Sequence, residues 1–204
     1  ATCGPAFIGL PQDVQAEAYD FPPRFFERTV HEIPRPRADS RQLDRAVALI
    51  AGAERPLIIA GGGVHYSGAE AALTRFAEQA NIPVVETVAG KACLLASHRL
   101  NAGPAGVTGC TSANALAAAA DVVIAVGTRL QDFTTNSWTA FGADTQFVGV
   151  NAAGFDAAKH LAHAVVGDAR ETLEELSSRL GHYRSAQDWT DRASAETAQY
   201  HAYI

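Results

Sequence analysis

The nine residues DVVIAVGTR, Asp121 to Arg129, constrain this chain more than any other stretch. Val122 to Val126 is an uninterrupted apolar run, short for a helix and rich in β-branched residues. It predicts a strand buried on both faces, the central-strand type of a parallel sheet. An alanine-rich helical stretch, Ser112 to Ala120, leads into it, and Gly127 ends it. The chain then turns polar at Thr128, Arg129, Gln131 and Asp132. Ligands of open α/β sheets bind outside the carboxyl ends of strands, so this exit is the first place to seek a site.

The same alternation recurs on either side. Pro56 to Ala60, Pro83 to Glu86, Gln146 to Val150 and Ala164 to Val166 read as further strands, and Pro5 to Ile8 as an initial one. Helices are predicted over Arg41–Ala53, capped by Asp39 or Ser40, from a Ser67 cap to Ala80, and from an Asp168 cap to Leu180. Residues 103–109, with glycine at 103, 106 and 109, read as a loop. The fold class expected is α/β: a three-layer, Rossmann-like parallel sheet of about six strands with helices on both faces. Residues 1–39 read as an extended arm, because six prolines exclude helix interiors and central strands. Phe21, Phe25 and Phe26 in that arm need a surface to dock on. The tail, Ser185 to Ile204, is helical in composition, and its Trp189, Tyr200 and Tyr203 are expected to dock on something outside this chain.

Composition narrows the partners. The formal charge of −6 comes with no basic cluster, which excludes nucleic acid as a partner. No apolar stretch reaches the roughly 18 residues of a membrane span. Cys3, Cys93 and Cys110 are odd in number and lack metal or redox spacing, so free thiols in the cytoplasm are expected. The lack of any methionine and the abrupt start predict a piece of a longer chain.

Several candidate sites follow from residue type and spacing. Gly61-Gly62-Gly63 sits between a strand and a helix, the setting in which backbone N–H groups cradle a phosphate or simply make a tight turn. It is not the dinucleotide fingerprint, since Tyr66 stands where the third glycine belongs. Glu86 ends the next strand, where such a fingerprint places a ribose-binding acid; an internally bonded or solvated carboxylate is the simpler role. Gly90-Lys91 is no phosphate loop, because Ala92 replaces the magnesium-binding hydroxyl. His160 and His163 have a ligand-like gap but no third ligand, so no metal site is assigned. No pairing of a cysteine with a histidine stands out. Arg129, after Gly127, can grip a phosphate or a flavin's polar edge, or pair with Asp132.

Taken together, RPLIIAGGGV, NIPVVET, GVTGCTSANALAAAADVVIAVGTRLQDF, FVGVN and VVGDA resemble the central domain of thiamine-diphosphate-dependent enzymes. The likeness covers residues 41–180 and lies in the order and spacing of the pieces. GPAFIGLPQDV upstream resembles the exit of that family's pyrimidine-binding domain. Within the family, PQDVQAEAYDFP, ETVAGKA and GTRLQDFTTNSW are most similar to the branch that hydrolyses a cyclic trihydroxy-dione in inositol breakdown.

The resemblance implies three segments: residues 1–39 ending an upstream pyrimidine-binding domain, 40–182 the central domain, and 183–204 a helical lead into a diphosphate-binding domain. It implies carbon–carbon bond cleavage with thiamine diphosphate and Mg2+ held outside this chain, which would itself carry no catalytic residue and be inactive alone. The family's Gly-Asp-Gly magnesium motif is Gly167-Asp168-Ala169 here, and no Asn-Asn pair follows, so Gly-Asp is expected to be a strand end plus helix cap. Flavin-carrying relatives hold FAD at positions matching Gly61, Gly62, Gly63, Thr87, Gly106, Gly109, Gly127, Thr128 and Arg129. Their second arginine is Phe133 here, and Val107-Thr108 replaces Met-His, so FAD is expected to bind weakly or not at all and ADP modestly. The partners implied are the other domains of the same chain, a homodimer or homotetramer, and a small-molecule substrate. The alternatives are an acetohydroxyacid-synthase-like or oxalyl-CoA-decarboxylase-like domain, a stand-alone nucleotide binder, and a structural spacer.

Overall fold

A computed structural model describes residues 5–203. Cys3, read above as a free thiol, lies outside the described residues. The chain divides between Pro34 and Arg35 into two compact units.

Among its described residues, the first unit holds a single short helix, α1 (Gln12–Ala16), and a 3-10 turn at Pro23–Phe26. Pro5 to Ile8 forms no strand. Proline lacks the N–H a ladder needs, and no neighbouring strand within this unit accepts the rest. Tyr19, Phe21, Phe25 and Phe26 pack edge-on and tilted against one another, with centroids 4.7–6.2 Å apart, yet all four stay exposed.

In the second unit, α2 (Ser40–Ala51) begins at an Asp39 cap whose carboxylate accepts the Arg41 N–H. The first crossover runs β1 (Pro56–Ala60), α3 (Gly62–Ser67), α4 (Glu70–Ala80) and β2 (Val84–Glu86). Then follow β3 (Asn101–Pro104), α5 (Thr111–Ala119), β4 (Val122–Val126) and the single turn α6 (Asp132–Thr135). Next come β5 (Gln146–Asn151), the turn α7 (Gly154–Ala157), β6 (His163–Val166), α8 (Ala169–Leu180) and α9 (Gln187–Tyr203). All strands are parallel, in the order β3-β2-β1-β4-β5-β6. The expected α/β class and a sheet of six strands are observed; the edge strand β3 takes in Gly103 and Pro104, which the sequence reads as part of a loop.

Alternation along the strands builds two cores. Ile58, Val84, Ile124, Val148 and Val165 face α2, α4 and α8, meeting Leu43, Ile50, Phe76, Leu173 and Leu176. Leu57, Ile59, Val85, Val123 and Ala125 face α5 and α9. The alanines of α5 leave room for a second layer, and Trp189 of α9 fills it. Its ring is buried and its Nε1–H donates to the Pro56 carbonyl at 2.7 Å. Trp189 thus docks on this chain's own sheet, contrary to the sequence expectation; Tyr203 stays exposed.

One helix boundary also differs. Ser67 does not cap a long helix: Gly68, at φ 62°, turns the chain between α3 and α4, which has no side-chain cap. The Ser67 hydroxyl instead donates to Asp168 at 2.6 Å and accepts the Arg170 N–H at 2.9 Å. Asn81 ends α4 in the left-handed conformation at φ 53°, where its side chain costs little.

Candidate functional site

The chain leaves β1 toward one side of the sheet and enters β4 on the other, so the strand order reverses between them. At such a switch point the two exit loops diverge and open a crevice at the carboxyl ends. Gly61–Gly63 and Gly127–Arg129 are those two loops.

The loops are held together backbone to backbone. The Gly61 N–H donates to the Val126 carbonyl at 2.9 Å, and the Gly63 N–H to the Gly127 carbonyl at 2.8 Å. A Cβ on Gly63 would lie 2.6 Å from the Gly127 Cα, and one on Gly127, at φ 60°, would lie 2.7 Å from the Gly63 Cα. Only glycine permits that approach. Two of the N–H groups that could cradle a phosphate are therefore already bonded to carbonyls.

The other predicted positions gather around this crevice. Thr87 accepts the Gly90 N–H through its hydroxyl at 3.1 Å, and Gly62 abuts Ala89, whose Cβ would be 3.1 Å from a side chain there. Gly106, at φ 101°, lies under the Phe133 carbonyl, which accepts the Val107 N–H at 2.8 Å. Gly109 closes the same loop onto Pro104 and Ala105. Thr128 accepts the Leu130 N–H and, through its carbonyl, the Asn151 amide. Arg129 is exposed, and its guanidinium makes no hydrogen bond or ion pair with the described residues. Asp132 is not its partner. Phe133 is exposed beside this loop.

Glu86 turns inward: it is buried and accepts the Leu94 N–H at 3.0 Å. His160 stacks on Trp138, while His163 bonds the Gln42 carbonyl, so the two rings share no ligand.

The exit of β6 is different in kind. Asp168 caps α8, accepting the Arg170 and Glu171 N–H groups, and its other oxygen meets Arg35 at 3.0 Å. Burial, the largest influence, acts to raise its pKa. The Ser67 hydroxyl, the Glu171 N–H and Arg35 together outweigh it and hold the carboxyl below its usual value.

A contact invisible in the sequence joins α3 to the loop after β2. The His65 ring lies 2.7 Å from the Glu70 carboxylate through Nδ1 and 2.9 Å from the Lys91 carbonyl through Nε2. Both partners accept, so the ring bonds both only as imidazolium. Its pKa is raised, first by Glu70 and then by the Lys91 carbonyl, against the opposing effect of burial. The Cys93 thiol is 3.4 Å from Nε2. This is no activated nucleophile: burial, then Glu86 and Glu70, push the thiol up to about 12, and the imidazolium has no lone pair to take its proton. Residues 28 apart in separate loops carry no spacing signal for such a pair.

Comparison with known proteins places this geometry. Residues 43–176 match the family model described as thiamine pyrophosphate enzyme, central domain. A 3D-(3,5/4)-trihydroxycyclohexane-1,2-dione hydrolase of Clostridium perfringens is 47% identical over 191 residues, covering 92% of this chain and 30% of the relative. The hydrolase of that name from Shouchella clausii is 45% identical over 193 residues, 94% of this chain and 30% of its own length. This chain therefore spans about 30% of the curated relatives it matches. A Mycobacterium smegmatis structure described among thiamin diphosphate-dependent enzymes superposes with a TM-score of 0.65 at 23% identity, covering 76% of this chain and 30% of that one; it supports the fold alone.

Proposed function

The chain belongs to the thiamine pyrophosphate enzyme central-domain family, and we propose that it serves as the non-catalytic central domain of a hydrolase that opens a cyclic trihydroxy-dione. The observation that carries this is the 47% identity, over 92% of the chain, to a relative named for that reaction. Residues 1–39 then end a pyrimidine-binding domain, 40–182 form the central domain, and 183–204 lead into a diphosphate-binding domain. The whole enzyme works in the cytoplasm as a homodimer or homotetramer, with Mg2+ and thiamine diphosphate held by the flanking domains.

The residues present do not fit thiamine diphosphate. A magnesium–diphosphate site needs carboxylate oxygens available to the metal. Both Asp168 oxygens are engaged, one by Ser67 and the α8 N–H groups, the other by Arg35. No chemical step of the reaction is assigned to this chain's residues.

The crevice between β1 and β4 is the ligand site we assign to this domain. Arg129 supplies a cation with no partner among the described residues, next to close-packed glycine backbone, which suits a phosphate of an ADP-like ligand. Phe133 offers a flavin no polar partner, so FAD binds weakly or not at all.

The test is a chimera in which this chain replaces the matching 191 residues of the Clostridium perfringens relative. Retained dione hydrolysis supports the assignment. A folded chimera that binds thiamine diphosphate but leaves the dione intact overturns it.

A further inference from the structure

A second cavity, of about 1060 Å³, opens at the other end of the sheet, where β5 and β6 begin. Its wall is aromatic: Trp138 packs on Phe147 at 5.5 Å and on Phe141 at 5.8 Å between ring centroids, and His160 stacks on Trp138 at 3.2 Å. Arg45, from the outward face of α2, also lines it. The titratable side chains lining the cavity are Arg45, His160 and His163; no carboxylate lines it, although the chain as a whole is acidic.

Two features argue that the wall is held for a purpose beyond packing. Asn136, Ser137 and Trp138 run in succession at φ 50°, 51° and 68°, and His160 and Leu161 at 54° and 61°. Left-handed backbone is unfavourable at Ser137, Trp138 and Leu161, and together with that at His160 it presents Trp138 and His160 to one another from two separate crossover loops. In addition, the Arg45 guanidinium has no partner among the described residues, whereas Arg35, Arg55 and Arg179 each hold a carboxylate. His160 is pushed toward neutrality, by burial first and then by Lys159.

We propose that this cavity binds a small organic anion with a flat apolar body, such as an aromatic carboxylate or sulfonate, its acid group on Arg45 and its body along Trp138, Phe141 and Phe147. The chemistry follows from the lining: apolar rings take the flat body, and an unpartnered guanidinium with no competing carboxylate selects a negative charge. The site is distinct from the β1–β4 crevice and does not depend on the function proposed for it.

The probe is 1-naphthalenesulfonate, titrated calorimetrically into the purified chain at neutral pH, with 1-naphthalenemethanol as its uncharged counterpart. Saturable binding of the sulfonate is expected, with the alcohol bound at least about tenfold more weakly. Arg45→Gln, an exposed substitution that leaves the core untouched, should weaken the sulfonate at least about tenfold, while Arg129→Gln should leave it unchanged. Absence of saturable binding, equal binding of the alcohol, or sulfonate binding that survives Arg45→Gln would each overturn the proposal.

Discussion

The exit of β6 and the paired exits of β1 and β4 share one local grammar, strand then glycine then helix, and do opposite things with it. At β6, Gly167-Asp168 satisfies every charge it brings: Asp168 holds Ser67, Arg35 and the first N–H groups of α8. At β1 and β4, Gly61–Gly63 and Gly127 close on each other through backbone alone and leave the Arg129 guanidinium without a partner among the described residues. A glycine turn at a carboxyl edge is therefore not itself a ligand site. What separates a site from a joint is whether a charge remains unmatched after the turn has folded.

The largest effect should come from breaking the glycine joint. Gly127→Ala sets a Cβ against Gly63 backbone at 2.7 Å in left-handed backbone, and we expect a loss of about 3 kcal/mol or more in urea unfolding. A smaller loss would show that the two loops can part.

Next is the saturated exit. Asp168→Ala removes a helix cap and leaves Arg35 and Ser67 without their acceptor, for a loss of about 2–3 kcal/mol by the same assay. Because its folded pKa is depressed, the Asp168 contribution is present above the ordinary carboxylate pKa and fades as pH falls through the folded value. Asp168→Asn should flatten that acid limb of the stability curve without touching ligand binding at β4.

Arg129→Ala inverts the pattern. It should leave unfolding within about 0.5 kcal/mol of the parent, since the guanidinium bonds none of the described residues, yet weaken a bound ADP by about 1.5–3 kcal/mol in calorimetry. An ADP affinity indifferent to Arg129 would erase the contrast between the two exits.

The smallest effect belongs to His65. Its raised pKa means that its bonds to Glu70 and Lys91 stabilise the fold fully below about 6.5 and are lost as pH rises through the folded value. Partial exposure keeps the effect modest. Replacing His65 with Gln should remove that alkaline decline from chemical-denaturation midpoints measured between neutral and mildly alkaline pH.

Much of this frame is legible in the residues, for identifiable reasons. Val122–Val126 and Pro56–Ala60 are short, apolar and followed by glycine, so their strands and the crevice between their exits can be read directly. Asn101–Pro104 cannot: an edge strand tolerates Gly103 at φ 91° and a proline, which look like a loop. Ser67 looks like a cap because its partner, Asp168, is 101 residues away. Trp189 reads as a residue seeking an outside partner, since only the folded sheet shows that the alanines of α5 leave it a place. His65 and Cys93 meet across two loops, a proximity that neither periodicity nor spacing encodes.

Whether β4 keeps an open charge while β6 does not can be read from a calorimetric panel on the purified chain: ADP, FAD, and thiamine diphosphate with magnesium. Weak, saturable ADP binding that depends on Arg129 is expected, with no saturable binding of FAD or of thiamine diphosphate. Tight stoichiometric FAD, or saturable thiamine diphosphate that Asp168→Asn abolishes, would contradict it.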